Sequence, residues 1–213
     1  MTAAKPAIAD KEALSKVYPQ GMRWDIDIPR IDLVHVLDEA IVKFHDRPAM
    51  DFFGKKITYQ EMGSLISRAA KGLQDMGIGK DTKIGLFMPN TPFYPVMFFA
   101  ALRVGATVVN FNSMFTKDEL RNQIEDSGTT IMVTTDLKDF HDKAADLQRA
   151  GALKQIIRCD MADVMPLKWA IPFLVAKRDD RTKIEEGGRN LGSYFIDQLA
   201  KKGYKELPST IKN

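Results

Sequence analysis

The sequence holds a single cysteine, Cys159, in 213 residues. One thiol excludes an internal disulfide and a cysteine-based zinc site. It also makes a reducing, cytoplasmic setting the default expectation. Long apolar runs are missing as well. The longest near the C-terminus, Trp169 to Ala176, is interrupted by Pro172, whereas a membrane span needs about 20 apolar residues. Met1 to Leu14 carries Lys5, Asp10, Lys11 and Glu12 and no continuous apolar core, so it reads as neither a signal peptide nor a membrane span. Charge of one sign is absent too: 31 basic against 28 acidic residues leave a formal net charge of +3. A duplex binder gathers basic charge on one face, so no nucleic-acid partner is expected.

Familiar catalytic patterns are equally scarce. There is no G-x-x-x-x-G-K-[ST] phosphate loop and no G-x-G-x-x-G turn after a strand. The histidines His35, His45 and His141 share no spacing with a serine or cysteine that would build a nucleophile and its base. His35 and His45 lie beside an apolar helical stripe with no carboxylate or cysteine spaced to join them, and read as surface or boundary residues. His141 and Asp142 are adjacent in an expected helix, where neighbours do not face each other, and read as solvated surface. Cys159, at an expected strand end, reads as a small buried apolar side chain. Ser127-Gly128-Thr129-Thr130 matches the middle of a known phosphate-binding loop. Here it closes a capped helix and enters the strand Ile131-Met132-Val133, with no glycine and no Pro-Lys-Gly after it. A helix C-terminus presents carbonyls and the negative end of the dipole, which repel phosphate. No residue is therefore nominated as catalytic, cofactor-binding or metal-ligating.

What is present is an orderly α/β pattern. Hydrophobic residues make up 45% and charged residues 28%, an ordinary balance for a soluble domain with its own core. Residues 1–30 read as an extended lead-in, with Asp25 to Ile28 alternating like an edge strand. Leu33, Val34, Leu37, Ala40, Ile41 and Phe44 recur at the helical period. Ala49–Phe53 and Lys55–Thr58 flank Gly54 and suggest a hairpin. Thr58-Tyr59-Gln60-Glu61 and Thr116-Lys117-Asp118-Glu119 have the capping-box spacing, in which each threonine and glutamate satisfies the other's backbone N–H. Gly77 and Gly128 are placed to end helices in the left-handed conformation. From residue 83 strands (83–88, 107–110, 130–134, 155–159) alternate with helices (92–103, 116–128, 137–149). Short loops and right-handed crossovers then give a doubly wound, mainly parallel sheet flanked by helices. The α/β unit covers residues 31–160. Residues 161–213 read as an irregular segment, loosely packed over 161–190, with one further helix over 191–202. The helix 92–103 is apolar almost all round, so residues 1–213 are expected to leave part of an apolar layer uncovered.

Several strings, taken in order, resemble the acyl-adenylate-forming superfamily of AMP-binding enzymes. Ile57-Thr58-Tyr59-Gln60-Glu61-Met62 resembles its "LTYxEL" motif. Ala101 to Asn110 resembles "LKAGA-V-VN", and Phe115 to Leu120 resembles "YTPREL". Tyr18-Pro19-Gln20-Gly21, Asp25 to Pro29 and Asp46-Arg47-Pro48-Ala49 are similar to the bacterial long-chain fatty-acid–CoA ligase branch in particular.

The resemblance implies an incomplete N-terminal subdomain of the adenylate-forming fold, truncated before the phosphate loop. It implies an enzyme that joins a fatty acid to ATP, with magnesium offsetting phosphate charge, and then passes the acyl group to coenzyme A. That family's phosphate loop, acidic metal residue, ribose aspartate and mobile lysine have no matching positions here. The expectation is thus a ligase fragment that is inactive alone. The alternatives are a non-catalytic remnant acting as a binding or interaction module, or a fragment of a medium-chain or aryl acid–CoA ligase. Implied partners are a fatty acid, the missing C-terminal portion of the ligase or a homo-oligomer, and peripheral contact with the inner membrane from an otherwise cytoplasmic protein.

Overall fold

The computed structural model describes residues 31–177, Asp180 and a few isolated positions between 16 and 30. Two compact units divide the chain, Met1–Asp32 and Leu33–Asn213. The edge strand expected at 25–28 and the helix expected at 191–202 lie outside the described residues.

The second unit opens with helix α1 (Leu33–Phe44), whose Leu37 is buried. An antiparallel hairpin follows, β1 (Pro48–Phe52) and β2 (Lys55–Thr58). Its two-residue turn places Phe53 at φ 53° and Gly54 at φ 82°. Both are left-handed, the twist that a tight hairpin of this kind requires. The Asp51 carboxylate accepts from the Gly54 N–H at 3.0 Å and holds the turn. Helix α2 (Tyr59–Asp75) begins on a complete capping box: Thr58 accepts from the Glu61 N–H, and Glu61 accepts from the Thr58 N–H at 2.8 Å.

Four strands form the main sheet: β3 (Lys83–Leu86), β4 (Thr107–Asn110), β5 (Ile131–Thr135) and β6 (Gln155–Cys159). Their order is β4-β3-β5-β6, with every pairing parallel. The crossovers are α3 (Phe93–Arg103), α4 (Lys117–Ser127) and α5 (Lys138–Arg149). Alternation along the strands divides the core into two layers. Ile84, Leu86, Ile131, Val133 and Ile157 join Ile66, Leu73, Met97 and Ala100 of α2 and α3 on one face. Phe87 and Met132 join Leu120, Ile124, Ala144 and Leu147 of α4 and α5 on the other. Strand β5 is buried at every position, as the middle of a doubly wound sheet demands.

Residues 161–177 form helices where an irregular segment is expected. Met161–Val164 forms the short helix α6, and Leu167–Ala176 forms α7. Pro166 stands just before α7, while Pro172 lies inside it. Met161, Met165 and Ala170 pack into a small core of their own with Phe52, Leu137 and Phe173 at its edge. On α3, Phe93, Val96, Met97, Ala100 and Ala101 are buried, and the remaining residues are half-buried. Exposed apolar side chains lie on α7, at Leu167, Trp169, Ile171, Leu174 and Val175, and also on α1, at Leu33, Val36 and Val42.

One long-range tie was invisible in the sequence. Arg103, at the end of α3, pairs with Asp38 of α1 and donates to the Ser67 hydroxyl of α2 at 3.0 Å. Both ions of the pair are largely desolvated, so the guanidinium locks three helices together.

Candidate functional site

In open parallel sheets the ligand crevice lies beyond the carboxyl ends of the strands, where the winding reverses. The order β4-β3-β5-β6 puts that point between β3 and β5. The chain leaving β3 continues as Phe87-Met88-Pro89-Asn90-Thr91, with the Phe87 N–H still donating to the Val133 carbonyl at 2.9 Å. A cavity of about 320 Å³ opens beside it, lined by Asn90, Thr91, Pro92, Tyr94 and Pro95 and by Met50, Asp51 and Phe52 of the hairpin. Its polar groups are modest. Asp51 is committed to Gly54, Thr91 donates to the Met88 sulfur at 3.9 Å, and burial raises the Tyr94 phenol pKa. No histidine, cysteine, lysine or arginine lines it. The crevice can receive a ligand, but it holds no nucleophile with a base beside it.

A second cavity, of about 350 Å³, lies among β2, α2, α3 and α6. Ile57, Leu65, Phe93, Val96 and Met97 form its apolar floor, and Lys55, Lys56, Arg68, Glu61 and Asp163 stand at its rim. Glu61 is held by the capping box and the Lys55 ammonium donates to the Asp163 carbonyl at 3.3 Å.

Buried polar groups gather at the ends of β5 and β6. The Arg158 guanidinium grips Asp160 through two bonds, at 2.9 and 3.3 Å. The Asp136 carboxylate accepts from the Met161 N–H at 2.8 Å and so fixes the start of α6. His141 is no surface residue, contrary to its sequence reading. It is half-buried, its Nδ1 lies 3.8 Å from Asp142, and that nitrogen has no hydrogen-bond partner among the described residues. Burial chiefly, and the Arg158 charge next, lower its pKa, against Asp142 and Asp136, which raise it. His35 and His45, for which the sequence offered no partner, each meet a carboxylate: Glu39 at 3.2 Å and Asp46 at 2.7 Å. Cys159 is buried, and burial pushes its thiol pKa well above the ordinary value, so the thiolate needed for nucleophilic work is suppressed.

The Ser127–Thr130 string is a helix end. Gly128 adopts φ 68° and its N–H donates to the Ile124 carbonyl at 2.9 Å. The Ser127 carbonyl accepts from the Lys83 ammonium at 2.6 Å. Lys83 thus neutralises the negative end of α4, where a phosphate would need N–H donors converging on it. Among the described residues, no group of three or more His, Cys, Asp or Glu is placed to share a metal ion. Ser127–Thr130 therefore offers no cradle for a nucleotide's phosphates.

The fold and its ordered motifs define the class, an α/β subdomain of the adenylate-forming type. The sequence profile of the AMP-binding enzymes matches residues 37–186, and the chain belongs to that family. It is similar to a long-chain-fatty-acid–CoA ligase of Bacillus subtilis, 26% identical over 166 residues, covering 78% of this chain and 28% of that one. An acetyl-coenzyme A synthetase of Desulfatibacillum aliphaticivorans is 29% identical over 181 residues, covering 74% of this chain and 28% of its own. Among solved structures, a long-chain-fatty-acid-CoA ligase from Archaeoglobus fulgidus shares the fold with a TM-score of 0.57 and 22% identity, over 65% of this chain and 30% of that one. The chain therefore spans between about a fifth and little more than a quarter of the length of the curated relatives it matches.

Proposed function

We propose that this chain is the framework subdomain of an ATP-dependent long-chain fatty-acid–CoA ligase, and that it is inactive without further polypeptide. In that reaction a carboxylate attacks the α-phosphorus of ATP, pyrophosphate leaves, and the thiol of coenzyme A then displaces AMP from the acyl-adenylate. Magnesium offsets the phosphate charge in such chemistry. The part assigned to these residues is mechanical. Two capped helices, the Gly128 cap and the Arg103–Asp38–Ser67 tie hold one wall of the site rigid, which is how a scaffold serves chemistry done by groups elsewhere.

The observation that carries the reading is the ordered motif set. Ile57–Met62, Ala101–Asn110 and Phe115–Leu120 fall on the start of α2, on the α3–β4 corner and on the start of α4, alongside the likeness to the Bacillus ligase. The likeness to an acetyl-coenzyme A synthetase favours a second reading, a shorter acyl acid as substrate. A pyrophosphate-exchange assay with acids from acetate to palmitate separates these. We expect no exchange from the chain alone. We expect palmitate-dependent exchange once a polypeptide carrying the Ser/Thr/Gly-rich phosphate loop and the residues after it is added. Turnover well above a blank by the chain alone overturns the framework reading, and exchange confined to acetate replaces the long-chain one.

A further inference from the structure

We infer that the cavity among β2, α2, α3 and α6 binds a small amphipathic ligand, an apolar chain that ends in one carboxylate. The cavity follows from side-chain size. Ser64, Leu65, Arg68 and Ala69 recur at helical spacing and line it from α2, while Val96 and Met97 line it from α3. Ser64 and Ala69 are too short to fill the space between the two helices, and about 350 Å³ stays open. Packed interiors leave few gaps larger than a water molecule. A space of this size falls in the range of small-molecule sites, about 300–1,000 Å³.

The lining selects the chemistry. Ile57, Ala69, Phe93, Val96 and Met97 are buried and apolar. A water against that floor finds too few polar partners to be held well, so an apolar group displaces it with a gain in affinity. The charges stand at the rim, where Lys55, Lys56 and Arg68 outnumber Glu61 and Asp163 by one. The Glu61 carboxylate is turned to the Thr58 N–H at 2.8 Å. The Lys55 ammonium reaches the Asp163 carbonyl at 3.3 Å, so a cation bridges the rim from the hairpin to α6. One excess positive charge matches one negative charge on the ligand. A carboxylate there accepts charge-assisted bonds, a second negative charge would lack a partner, and an amine would be repelled.

The proposal uses no ATP and no ligase step. Absence of pyrophosphate exchange therefore leaves it standing, and absence of binding leaves the framework reading standing. Pro92 lines both this cavity and the crevice beyond β3 and β5, so the variants are placed at residues that line one of the two alone. The test is calorimetric titration of the intact chain with octanoate, without nucleotide. We expect saturable binding with one site per chain. Octanol should bind about tenfold or more weakly, because it forgoes the charge-assisted pairing, and octylamine should not bind. Ser64→Trp fills the cavity and should abolish octanoate binding. Lys55→Gln combined with Lys56→Gln should weaken octanoate about tenfold and leave octanol unchanged. Lys55 and Lys56 are both exposed, and an unchanged thermal melt verifies that the double variant folds, so it decides the matter even where Ser64→Trp does not fold. Absence of saturable binding, equal binding of octanoate and octylamine, or octanoate binding indifferent to the double variant overturns the proposal. Loss of octanoate binding in Asn90→Trp, with Ser64→Trp silent, also overturns it, by placing the ligand in the crevice.

Discussion

The sheet unit and helix α7 use the same kind of side chain to opposite ends. In the sheet unit, Phe87, Met132, Leu120 and Leu147 are sealed between β strands and α4 and α5. In α7, Leu167, Ile171 and Val175 are turned toward water. The difference teaches where this molecule's stability resides and where its unfinished business lies. Crossover connections cover both faces of the sheet and close its core. Helix α7 is seated on a small separate core and leaves most of its surface exposed.

The largest expected effect on one side of that contrast comes from Phe87→Ala. The ring is fully buried in the α4/α5 layer, and the substitution should cost about 3–5 kcal/mol in a urea melt. Arg103→Ala comes next, at about 3 kcal/mol, because Asp38 is left largely buried with its main cation gone. Losing Arg103 must also loosen α1 against α2, which hydrogen exchange in Leu33–Phe44 would report. Thr116→Ala and Gly128→Ala should each cost about 1 kcal/mol, the first by opening a capping box and the second by forcing a β-carbon into the left-handed region.

His141 gives the contrast a pH dependence. Its folded pKa is lowered from 6.5, chiefly by burial, so the unfolded chain takes up a proton that the folded chain refuses. Stability is therefore fully present above pH 6.5 and falls as pH drops from 6.5 toward the folded value, then levels off. His141→Gln should flatten melts recorded over that window. An unchanged slope would mean that His141 is not the responsible group. At the small end, Val175→Ala should alter stability by less than about 0.5 kcal/mol. A loss as large as that for Phe87→Ala would erase the distinction between the two regions.

Local signals carried the sheet unit in the sequence. Capping boxes at Thr58 and Thr116, and glycines where helices end, are written in adjacent residues and are satisfied by adjacent atoms. The hairpin was legible too, though its turn includes Phe53, a residue that seldom accepts positive φ. Helix α7 was not legible. Leu167–Ala176 is apolar at every position but Lys168 and interrupted by Pro172, so it has no periodicity to read. The Arg103–Asp38 pair joins residues 65 apart, and nothing in either neighbourhood announces the other. His141 misled for a related reason. Asp142 beside it is visible in the sequence, while Arg158, whose charge helps to lower its pKa, lies on a strand later in the chain.

The candidate site was legible only in outline. The topology points to the carboxyl ends of β3 and β5, but the cavity there combines Asn90 and Tyr94 with hairpin residues 40 positions earlier, such as Met50. That meeting depends on the docking of β1 and β2, for which no motif exists.

The central claim is that these residues frame an adenylate-forming site without binding the nucleotide's phosphates. Calorimetric titration of the chain with ATP and magnesium tests it most directly. The account predicts no saturable heat at millimolar nucleotide, and the same flat trace for Ser127→Ala and Gly128→Ala. Saturable binding that is lost in either variant would contradict it, since Ser127 to Thr130 would then cradle phosphate and not simply close a helix.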